Sequence, residues 1–442
     1  MIGTMPPVRR RGDSHRRSPT GRVAVWACLV LVSAGSRPGP GAGRAVPVKG
    51  PPTGTPRAAK PASTEGACRA LAAATDRPDA RVSDGAATGP VAASLPVAAI
   101  RWPRKRWIRH TVVPRETFAG IAARYRVRPA SLRRWNPELG DEVRKGEVLR
   151  IYTDFVPPPR RPIEVTVAEG DTWWSIACRH GVGSWDLRAM NYRPGGRLRP
   201  GETLRIWIDP IAHDFIEREW ADPPFGVRPG AHGVGSPDDG RLVCGVQLPE
   251  RPEYIRKIPG SAYGTTHTVR NLIAAMVEFR RRSGYGGRVY IGAISRPRGG
   301  RLGGHKSHRT GRDVDIRLPL KESIPQALEP RPARRVDFRA LYHLIRALVD
   351  TGEVEVVFLD YPLQRRLAKA AAAAGASEAE LAALLQWPRG RKASRGIVRD
   401  EPGHDDHIHV RFRCGPGETE CYSRTDEGWG RIPEVRRAPG QP

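Results

Sequence analysis

The 442-residue sequence is poor in cysteine and has far fewer acidic than basic residues. None of its six cysteines forms a C-x-x-C pair, which argues against a cysteine-rich zinc knuckle. Lys and Arg number 74 against 46 Asp and Glu, and this net charge of +28 suits nucleic acid, anionic lipid or an anionic cell-wall polymer. The arginines are dispersed, and no zinc-finger spacing, basic helix or RNA-binding aromatic motif accompanies them. We therefore expect no specific nucleic-acid partner.

Long apolar runs are also scarce. The run at residues 23–32 is too short to span a bilayer as a stable helix. Six arginines precede this run and the small residues Ser33, Ala34 and Gly35 follow it, an order typical of a secretory signal. We expect residues 1–35 to be a bacterial signal peptide. The mature chain would have no transmembrane segment and would be periplasmic, secreted or associated with the cell wall.

Two segments of the chain repeat each other at a fixed offset of 55 residues. Matching positions include Thr117 and Thr172, Asn136 and Asn191, and a Leu-Arg-Ile triplet that ends at Ile151 and Ile206. Self-similarity at a fixed period indicates two copies of one small unit. Each copy has the pattern of strand, helix, helix and strand, with the threonine as the N-cap of the first helix.

The repeated pattern resembles the LysM family, most closely in the second copy at Glu169-Gly170-Asp171-Thr172. The first copy has Arg115 where the family usually has glycine. The resemblance implies weak binding to N-acetylglucosamine-containing polymers, chiefly peptidoglycan or chitin, which two tethered copies strengthen. Spacers that have lost their binding groove are the alternative. The predicted segments are a disordered linker (36–104), LysM domain 1 (105–153), a Pro-rich linker (154–162) and LysM domain 2 (163–208).

Residues 215–430 have the pattern of a separate α+β domain, followed by a disordered tail at 431–442. Apolar spacing predicts a helix over 266–282 and another that begins after Asp337, with strands near 288–294 and 355–359. A helical hairpin is expected over about 364–387, with the capping box Ser377-Glu378-Ala379-Glu380 at its second helix. These elements lack βαβ regularity.

Histidine and aspartate are concentrated in two segments of this domain, residues 304–316 and 404–412. Alternate side chains of a strand share a face, so Asp313 and Asp315 share one face of their strand. His407 and His409 likewise share a face, opposite Ile408. This clustering predicts one polar centre.

Imidazoles with one carboxylate suit Zn²⁺ and leave a fourth position for water. We predict one zinc per catalytic domain, with His308, Asp315 and His409 as its ligands. His407 is expected to take a proton from the activated water and pass it to the leaving amine. His404 is expected to hydrogen-bond the oxyanion.

The run from Ser295 to Ile316, together with His404-x₂-His407-x-His409 and Cys414, resembles the penicillin-insensitive murein endopeptidases. That family is related to lysostaphin-type peptidases, D-Ala-D-Ala dipeptidases and the hedgehog signalling domain. The resemblance covers about residues 240–425 and implies an antiparallel sheet flanked by helices, the same three zinc ligands and hydrolysis of D-Ala–diaminopimelate cross-links. It also implies that His305 completes the site as an outer or additional metal contact and that Arg298 binds substrate.

The cysteines left after signal removal are odd in number. Cys414 and Cys421 flank a Gly-Pro-Gly turn and suit a disulfide, which the family resemblance also implies. The pairing of Cys68, Cys178 and Cys244 stays open at this stage.

The sequence thus predicts an exported zinc-dependent peptidoglycan endopeptidase anchored to glycan by two LysM modules. One alternative is a LysM peptidoglycan-binding protein whose peptidase-like domain is inactive. Another is a D,D-carboxypeptidase or an amidase that acts on the same polymer. Cleft shape rather than the zinc centre selects the bond, so the sequence does not separate these enzymes.

Overall fold

A computed structural model describes residues 97–140, 142–192, 196–322, 324–325, 327, 331–423 and 434–436. The predicted signal peptide and most of the predicted linker at 36–104 lie outside these residues. Among the described helices, none has the length and hydropathy needed to cross a membrane.

Both repeats fold as βααβ units. The first comprises β1 (Ala99–Thr111), α1 (Phe118–Arg124), α2 (Pro129–Trp135) and β2 (Val148–Val156). The second comprises β3 (Arg161–Thr166), α3 (Trp173–Arg179), α4 (Ser184–Met190) and β4 (Thr203–Ile208). In each unit the two strands pair antiparallel and each unit has its own buried apolar core.

Equivalent side chains make equivalent contacts in the two units. Thr117 and Thr172 cap their helices: each hydroxyl oxygen accepts a hydrogen bond from the backbone N–H three residues later, at 3.0 and 2.9 Å. The Asn136 amide donates to one helix carbonyl and one strand carbonyl, at 2.8 and 3.0 Å. Asn191 does the same at 3.0 and 2.9 Å. The repeat predicted from the sequence is therefore a structural repeat.

The rest of the described chain forms a mixed domain with the following elements: α5 (Pro210–Glu219), β5 (His232–Ser236), β6 (Asp239–Val243), β7 (Val246–Gln247), β8 (Tyr254–Arg256), β9 (Tyr263–Gly264), α6 (Thr266–Ser283), β10 (Val289–Ile291), β11 (Asp313–Arg317), α7 (Phe338–Val349), β12 (Val354–Phe358), α8 (Tyr361–Ala373), α9 (Glu378–Leu384), β13 (Val398–Arg399) and β14 (His407–Phe412). The last strand, β15 (Glu434–Arg436), instead joins the sheet of β1 and β2.

A six-stranded sheet in the order β13-β12-β14-β11-β10-β8 forms the centre of this domain. Its four inner strands are antiparallel, as predicted, and the edge strands β13 and β8 pair parallel to their neighbours. Helices α6, α7 and α8 cover the sheet with an apolar core that includes Leu272, Phe279, Leu341, Ile345, Val314, Ile316, Ile408 and Val410. The architecture is the predicted α+β class.

Three local expectations differ from the structure. β1 begins at Ala99, inside the predicted linker, and β15 lies inside the predicted tail and pairs parallel with β1. β2 and β3 extend into the predicted Pro-rich linker at 154–162. Strand pairing satisfies the backbone groups of an exposed edge, and it depends on contacts between distant segments that local spacing does not show.

The predicted capping box of α9 is only half formed. Ser377 accepts a hydrogen bond from the Glu380 N–H at 3.2 Å. The Glu380 carboxylate instead accepts from the Tyr342 hydroxyl at 2.7 Å, because α7 packs close enough to offer a tertiary partner. The predicted cap of α7 is confirmed, with the Asp337 side chain accepting from the Ala340 N–H at 2.9 Å.

A buried charged junction joins the LysM units to the mixed domain. Asp209, the N-cap of α5, accepts from the Arg124 guanidinium of the first LysM unit at 2.8 Å. The same carboxylate oxygen accepts from the Thr419 hydroxyl at 2.8 Å. Arg124 is 1 % exposed and also donates to the Pro158 carbonyl at 2.8 Å. Asp209 thus links three parts of the chain at one buried point.

Two further contacts cross the same boundary. Asp186 of the second repeat pairs across this boundary with Arg241 at 3.3 Å, and it also pairs with Arg115 of the first repeat at 2.7 Å. Cys178 on α3 forms a disulfide with Cys244, which settles a pairing that the sequence left open. The second LysM unit is therefore covalently tied to the mixed domain.

We predict that Asp209→Asn lowers the free energy of unfolding by roughly 3–5 kcal/mol, because the buried Arg124 charge loses its closer carboxylate partner and keeps the more distant Glu116, at 3.4 Å. Asparagine is as good an N-cap as aspartate, so the substitution tests the charge and spares the cap. Denaturant unfolding measures the change.

The matched control is Asp214→Asn on the same helix, whose carboxylate is 44 % exposed and pairs with Arg218 at 3.2 Å. It should change stability by no more than about 1 kcal/mol, as exposed ion pairs do. Equal effects of the two substitutions would contradict a buried ionic junction.

Candidate metal and catalytic site

The register of β11 against β14 assembles the polar centre. Asp315 lies directly opposite His409, and Asp313 lies opposite Arg411. The intervening side chains Val314 and Val410 are fully buried in the core. Strand alternation therefore holds two aspartates and His409 on the face away from the core, as the sequence pattern predicts.

His308 reaches this face from the loop before β11 and adopts a left-handed backbone conformation with φ of 66°. Its N–H donates to the Asp313 carboxylate at 2.9 Å and its carbonyl accepts from the Ser295 hydroxyl at 2.5 Å. Its ring Nδ1 lies 2.8 Å from the Ile294 carbonyl. These contacts hold the strained residue and direct Nε2 towards Asp315.

Two imidazole nitrogens converge on one carboxylate oxygen. Asp315 Oδ1 lies 3.2 Å from His308 Nε2 and 3.2 Å from His409 Nδ1. Among the described residues, neither Asp315 Oδ1 nor His308 Nε2 has a hydrogen-bond partner, although both atoms are buried. Ligands on a tetrahedral zinc with bonds of about 2.0–2.1 Å are about 3.3 Å apart. The donor set therefore fits a zinc ion.

Asp313 orients His409, a role that the sequence analysis missed. Its Oδ1 lies 3.1 Å from His409 Nε2 and accepts from Arg411 Nε at 2.7 Å. Metal-bound histidines commonly direct their second ring nitrogen at a carboxylate in this way. The alternation that places Asp313 beside Asp315 was visible in the sequence, but which aspartate would face the ring was not.

The local electrostatics favour a cation at this point. Burial opposes the charged form of His409, but Asp313 and Asp315 outweigh it and raise the pKa of His409 to about 9. Burial likewise opposes ionisation of Asp315, and its contacts with His308 and His409 nevertheless hold its pKa far below the usual range. The carboxylates therefore stay anionic, and a metal ion competes with a proton for His409.

His407 lies beside this centre and is held by Asp406, a second residue without an assigned role in the sequence analysis. Its Nδ1 lies 2.5 Å from Asp406 Oδ1, and its Nε2 lies 3.8 Å from Asp315 Oδ1. The hydrogen bond to His407 is the main reason why the pKa of Asp406 falls to about 2, with Arg317 adding to it. An ionised carboxylate thus fixes the ring with Nε2 towards the cluster.

The remaining predicted histidines lie around the same point. The His404 ring lies 4.8 Å from that of His407 and 5.6 Å from that of His409, and its Nδ1 is 3.1 Å from a backbone carbonyl. His305 Nδ1 lies 3.6 Å from Asp315 Oδ2, and its ring is 4.5 Å from that of His308. The structure therefore gathers all five histidines around Asp315.

Arg298 and the C-terminal cysteines take other positions. The Arg298 guanidinium lies over the Trp185 ring of the second LysM unit, 5.5 Å from its centroid. Its predicted role in substrate binding stays a prediction. Cys414 and Cys421 form a disulfide, and the buried Arg312 guanidinium lies within 2.8 and 2.9 Å of the two sulfurs.

Comparison with known protein families gives matches for both parts of the chain. Residues 110–151 and 165–207 each match the LysM domain, and they coincide with the two βααβ units. Residues 233–374 match the penicillin-insensitive murein endopeptidase family. This match includes His308 and Asp315 and ends before β14, which carries His407 and His409.

Individual relatives agree with the family match. The chain is 32 % identical over 154 residues to a penicillin-insensitive murein endopeptidase of Yersinia enterocolitica, covering 31 % of this chain and 50 % of the relative. It is 31 % identical over 150 residues to one of Klebsiella pneumoniae, covering 30 % and 48 %. For one of Yersinia pseudotuberculosis the identity is 29 % over 182 residues, covering 35 % and 60 %.

The chain therefore spans about half the length of the curated relatives that it matches. Its N-terminal repeats account for the LysM matches, and its mixed domain contains the match to the murein endopeptidase family. The protein thus joins two LysM domains to a region that matches the penicillin-insensitive murein endopeptidase family.

Proposed function

We propose that this protein is an exported zinc-dependent endopeptidase that hydrolyses peptidoglycan cross-links of the D-Ala–diaminopimelate type and is anchored to glycan by its LysM domains. The observation that carries the proposal is the convergence of His308 Nε2 and His409 Nδ1 on Asp315 Oδ1, each at 3.2 Å. His308 Nε2 and Asp315 Oδ1 are buried and have no hydrogen-bond partner among the described residues. This supports the proposal, because burying such polar atoms costs free energy unless a further group binds them.

His308, Asp315 and His409 would hold the zinc. The other ring nitrogen of His308 lies 2.8 Å from the Ile294 carbonyl, and that of His409 lies 3.1 Å from Asp313 Oδ1. When bound, zinc supplies a Lewis acid that polarises a carbonyl and lowers the pKa of water towards neutrality. His305 adjoins the same carboxylate and would contact the ion or its surroundings.

His407 acts as the general base in this proposal. Asp406 occupies its Nδ1, so Nε2 is free to accept a proton from a water near Asp315 and to return it to the leaving amine. His404 stands beside His407, and its Nδ1–H donates to a backbone carbonyl, so the protonated ring donates from Nε2 to the oxyanion that forms at the attacked carbonyl. Asp406 is a positioning residue, since it acts through His407.

The LysM domains supply attachment to the glycan, and peptidoglycan is the proposed partner of both parts of the chain. Two weakly binding modules on one chain raise the local concentration of the enzyme at a polymer without new contacts at the reacting bond. The charged junction at Asp209 keeps both modules next to the peptidase domain.

We predict that the purified protein holds one zinc ion and that His308→Ala and Asp315→Ala each lose it, since each removes one of three ligands. Elemental analysis measures zinc per chain. His343→Ala is the matched control, because His343 lies on α7 and its pKa is lowered only by burial and nearby arginines. Full zinc occupancy in both ligand variants would contradict the assignment.

We predict that His407→Ala retains zinc and loses hydrolysis of a soluble cross-linked muropeptide by about 10²–10⁴-fold, the usual range for a general base. Asp406→Asn should lose about 10–100-fold, because the imidazole is no longer oriented.

Asp405→Asn serves as the control for both variants. Asp405 is the exposed neighbour of Asp406, and it should leave hydrolysis unchanged. Near-normal hydrolysis by His407→Ala would rule out its role as the base.

We predict that binding to purified sacculi persists in about 0.5 M salt, whereas binding to DNA is lost there. At that ionic strength the Debye length is only about 4 Å, so the net charge of +28 attracts polyanions weakly. Recognition of N-acetyl sugars relies on close packing and hydrogen bonds, which salt weakens less. Co-sedimentation measures both. Parallel loss of the two activities would mean that charge, and not the LysM domains, attaches the protein.

A further inference from the structure

The two LysM domains differ at three positions that face the peptidase domain. The second domain has Trp174, Cys178 and Trp185, and the first has alanine at each position 55 residues earlier. Alanine suffices for the fold, because the first domain builds its own core around other residues. Neither tryptophan belongs to the core of the second domain either. The three side chains therefore serve something other than the LysM fold.

Each of the three contacts the peptidase domain. Cys178 is bonded to Cys244, and Trp174 packs in a cluster with Val243 and Cys244. Trp185, which is 61 % exposed, lies beneath the guanidinium of Arg298 at 5.5 Å. Trp174 and Cys178 are four residues apart on α3 and share one face of that helix. The disulfide thus sets Trp174 against the segment that follows Cys244.

A cleft of about 540 Å³ opens at this boundary, a volume typical of ligand sites. Its lining includes Trp174 from the LysM side and Arg228, Gln247, Tyr263, Pro297 and Arg298 from the peptidase side. Among the described residues that line it, none is acidic. Arg228 is fixed by a 2.8 Å hydrogen bond to the Cys244 carbonyl, so the disulfide segment also positions a cation in the wall.

We propose that this cleft is a substrate subsite that binds an N-acetylated sugar of the polymer together with a carboxylate of its attached peptide. The inference rests on the proposed function, because it has part of the same peptidoglycan substrate bind in this cleft, outside the proposed zinc centre. Aromatic rings such as Trp174 and Tyr263 pack against the C–H faces of a sugar. Guanidinium groups pair with carboxylates through two parallel hydrogen bonds. A cleft with two arginines and no acidic lining selects an anionic ligand.

The subsite makes the second LysM domain part of the substrate-binding surface of the peptidase. The first domain has no disulfide to the peptidase domain among the described residues, and alanine takes the place of both tryptophans. The two repeats therefore have different roles: the first attaches the enzyme to glycan, and the second also positions one strand next to the peptidase domain.

The test is calorimetric titration of the full chain with three probes: an uncross-linked disaccharide–tetrapeptide, the free tetrapeptide and N-acetylglucosamine tetramer. None needs to be cleaved at a cross-link, so the outcome does not depend on whether the proposed endopeptidase activity is correct. Arg298→Gln and Trp174→Ala should each raise the Kd for the disaccharide–tetrapeptide by about tenfold. Arg298→Gln should also weaken binding of the free tetrapeptide, which keeps the carboxylate, and should change the Kd of the N-acetylglucosamine tetramer by about threefold or less. Trp174→Ala should do the reverse, because the tetramer keeps the sugar and the tetrapeptide lacks it.

Arg365→Gln is the matched control, an exposed arginine on α8 of the same domain, and it should bind all three probes like the unmodified protein. Arg298 is exposed, so its substitution tests the cleft even if Trp174→Ala disturbs packing around the disulfide. An unchanged Kd for the disaccharide–tetrapeptide in Arg298→Gln would overturn the subsite. An unchanged Kd for both sugar-containing probes in Trp174→Ala, in a protein that keeps its fold, would overturn the assignment of a sugar to it.

Discussion

The register between β11 and β14 is the constraint on which the polar centre depends. It sets Asp315 opposite His409 and leaves Val314 and Val410 in the core. A slip of one residue would turn every side chain of β14 to the other face and bury a charged histidine among apolar residues. The hydrophobic core that fixes this register therefore also fixes the distance between Asp315 Oδ1 and His409 Nδ1, two of the proposed ligand atoms. The loop before β11 contributes one proposed ligand, His308, whereas β11 and β14 position the other two.

A second constraint is the buried carboxylate of Asp209, which holds the LysM domains beside the mixed domain. An aspartate at this depth is stable only with its full set of partners, and Arg124 and Thr419 come from opposite ends of the described chain. The disulfide at Cys178 and the cluster around Asp186 act across the same boundary. The LysM domains and the mixed domain are thereby held together, so the fold sets the spacing between the proposed glycan-binding modules and the proposed catalytic centre.

Patterns within single elements could be predicted from the sequence, and contacts between elements could not. The 55-residue repeat, the cap at Asp337 and the alternation around Asp315 follow from local spacing, and the structure has each of them. The partners of Glu380 and Asp406 depend on which helix or strand packs nearby, so spacing alone did not reveal them. The ends of β1, β2 and β3 at the predicted domain boundaries, and β15, were missed for the same reason, since their pairing depends on segments distant in sequence.

Mass spectrometry of the muropeptides released from purified sacculi tests the central claim most directly, because it identifies the bond that is cut. A cross-link endopeptidase removes cross-linked dimers. It replaces them with monomers that have an intact disaccharide and a newly free diaminopimelate amine. Removal of terminal D-Ala alone would indicate a carboxypeptidase, and release of peptides from the glycan would indicate an amidase. Either result, or unchanged dimers after digestion by zinc-loaded protein, would contradict a cross-link endopeptidase.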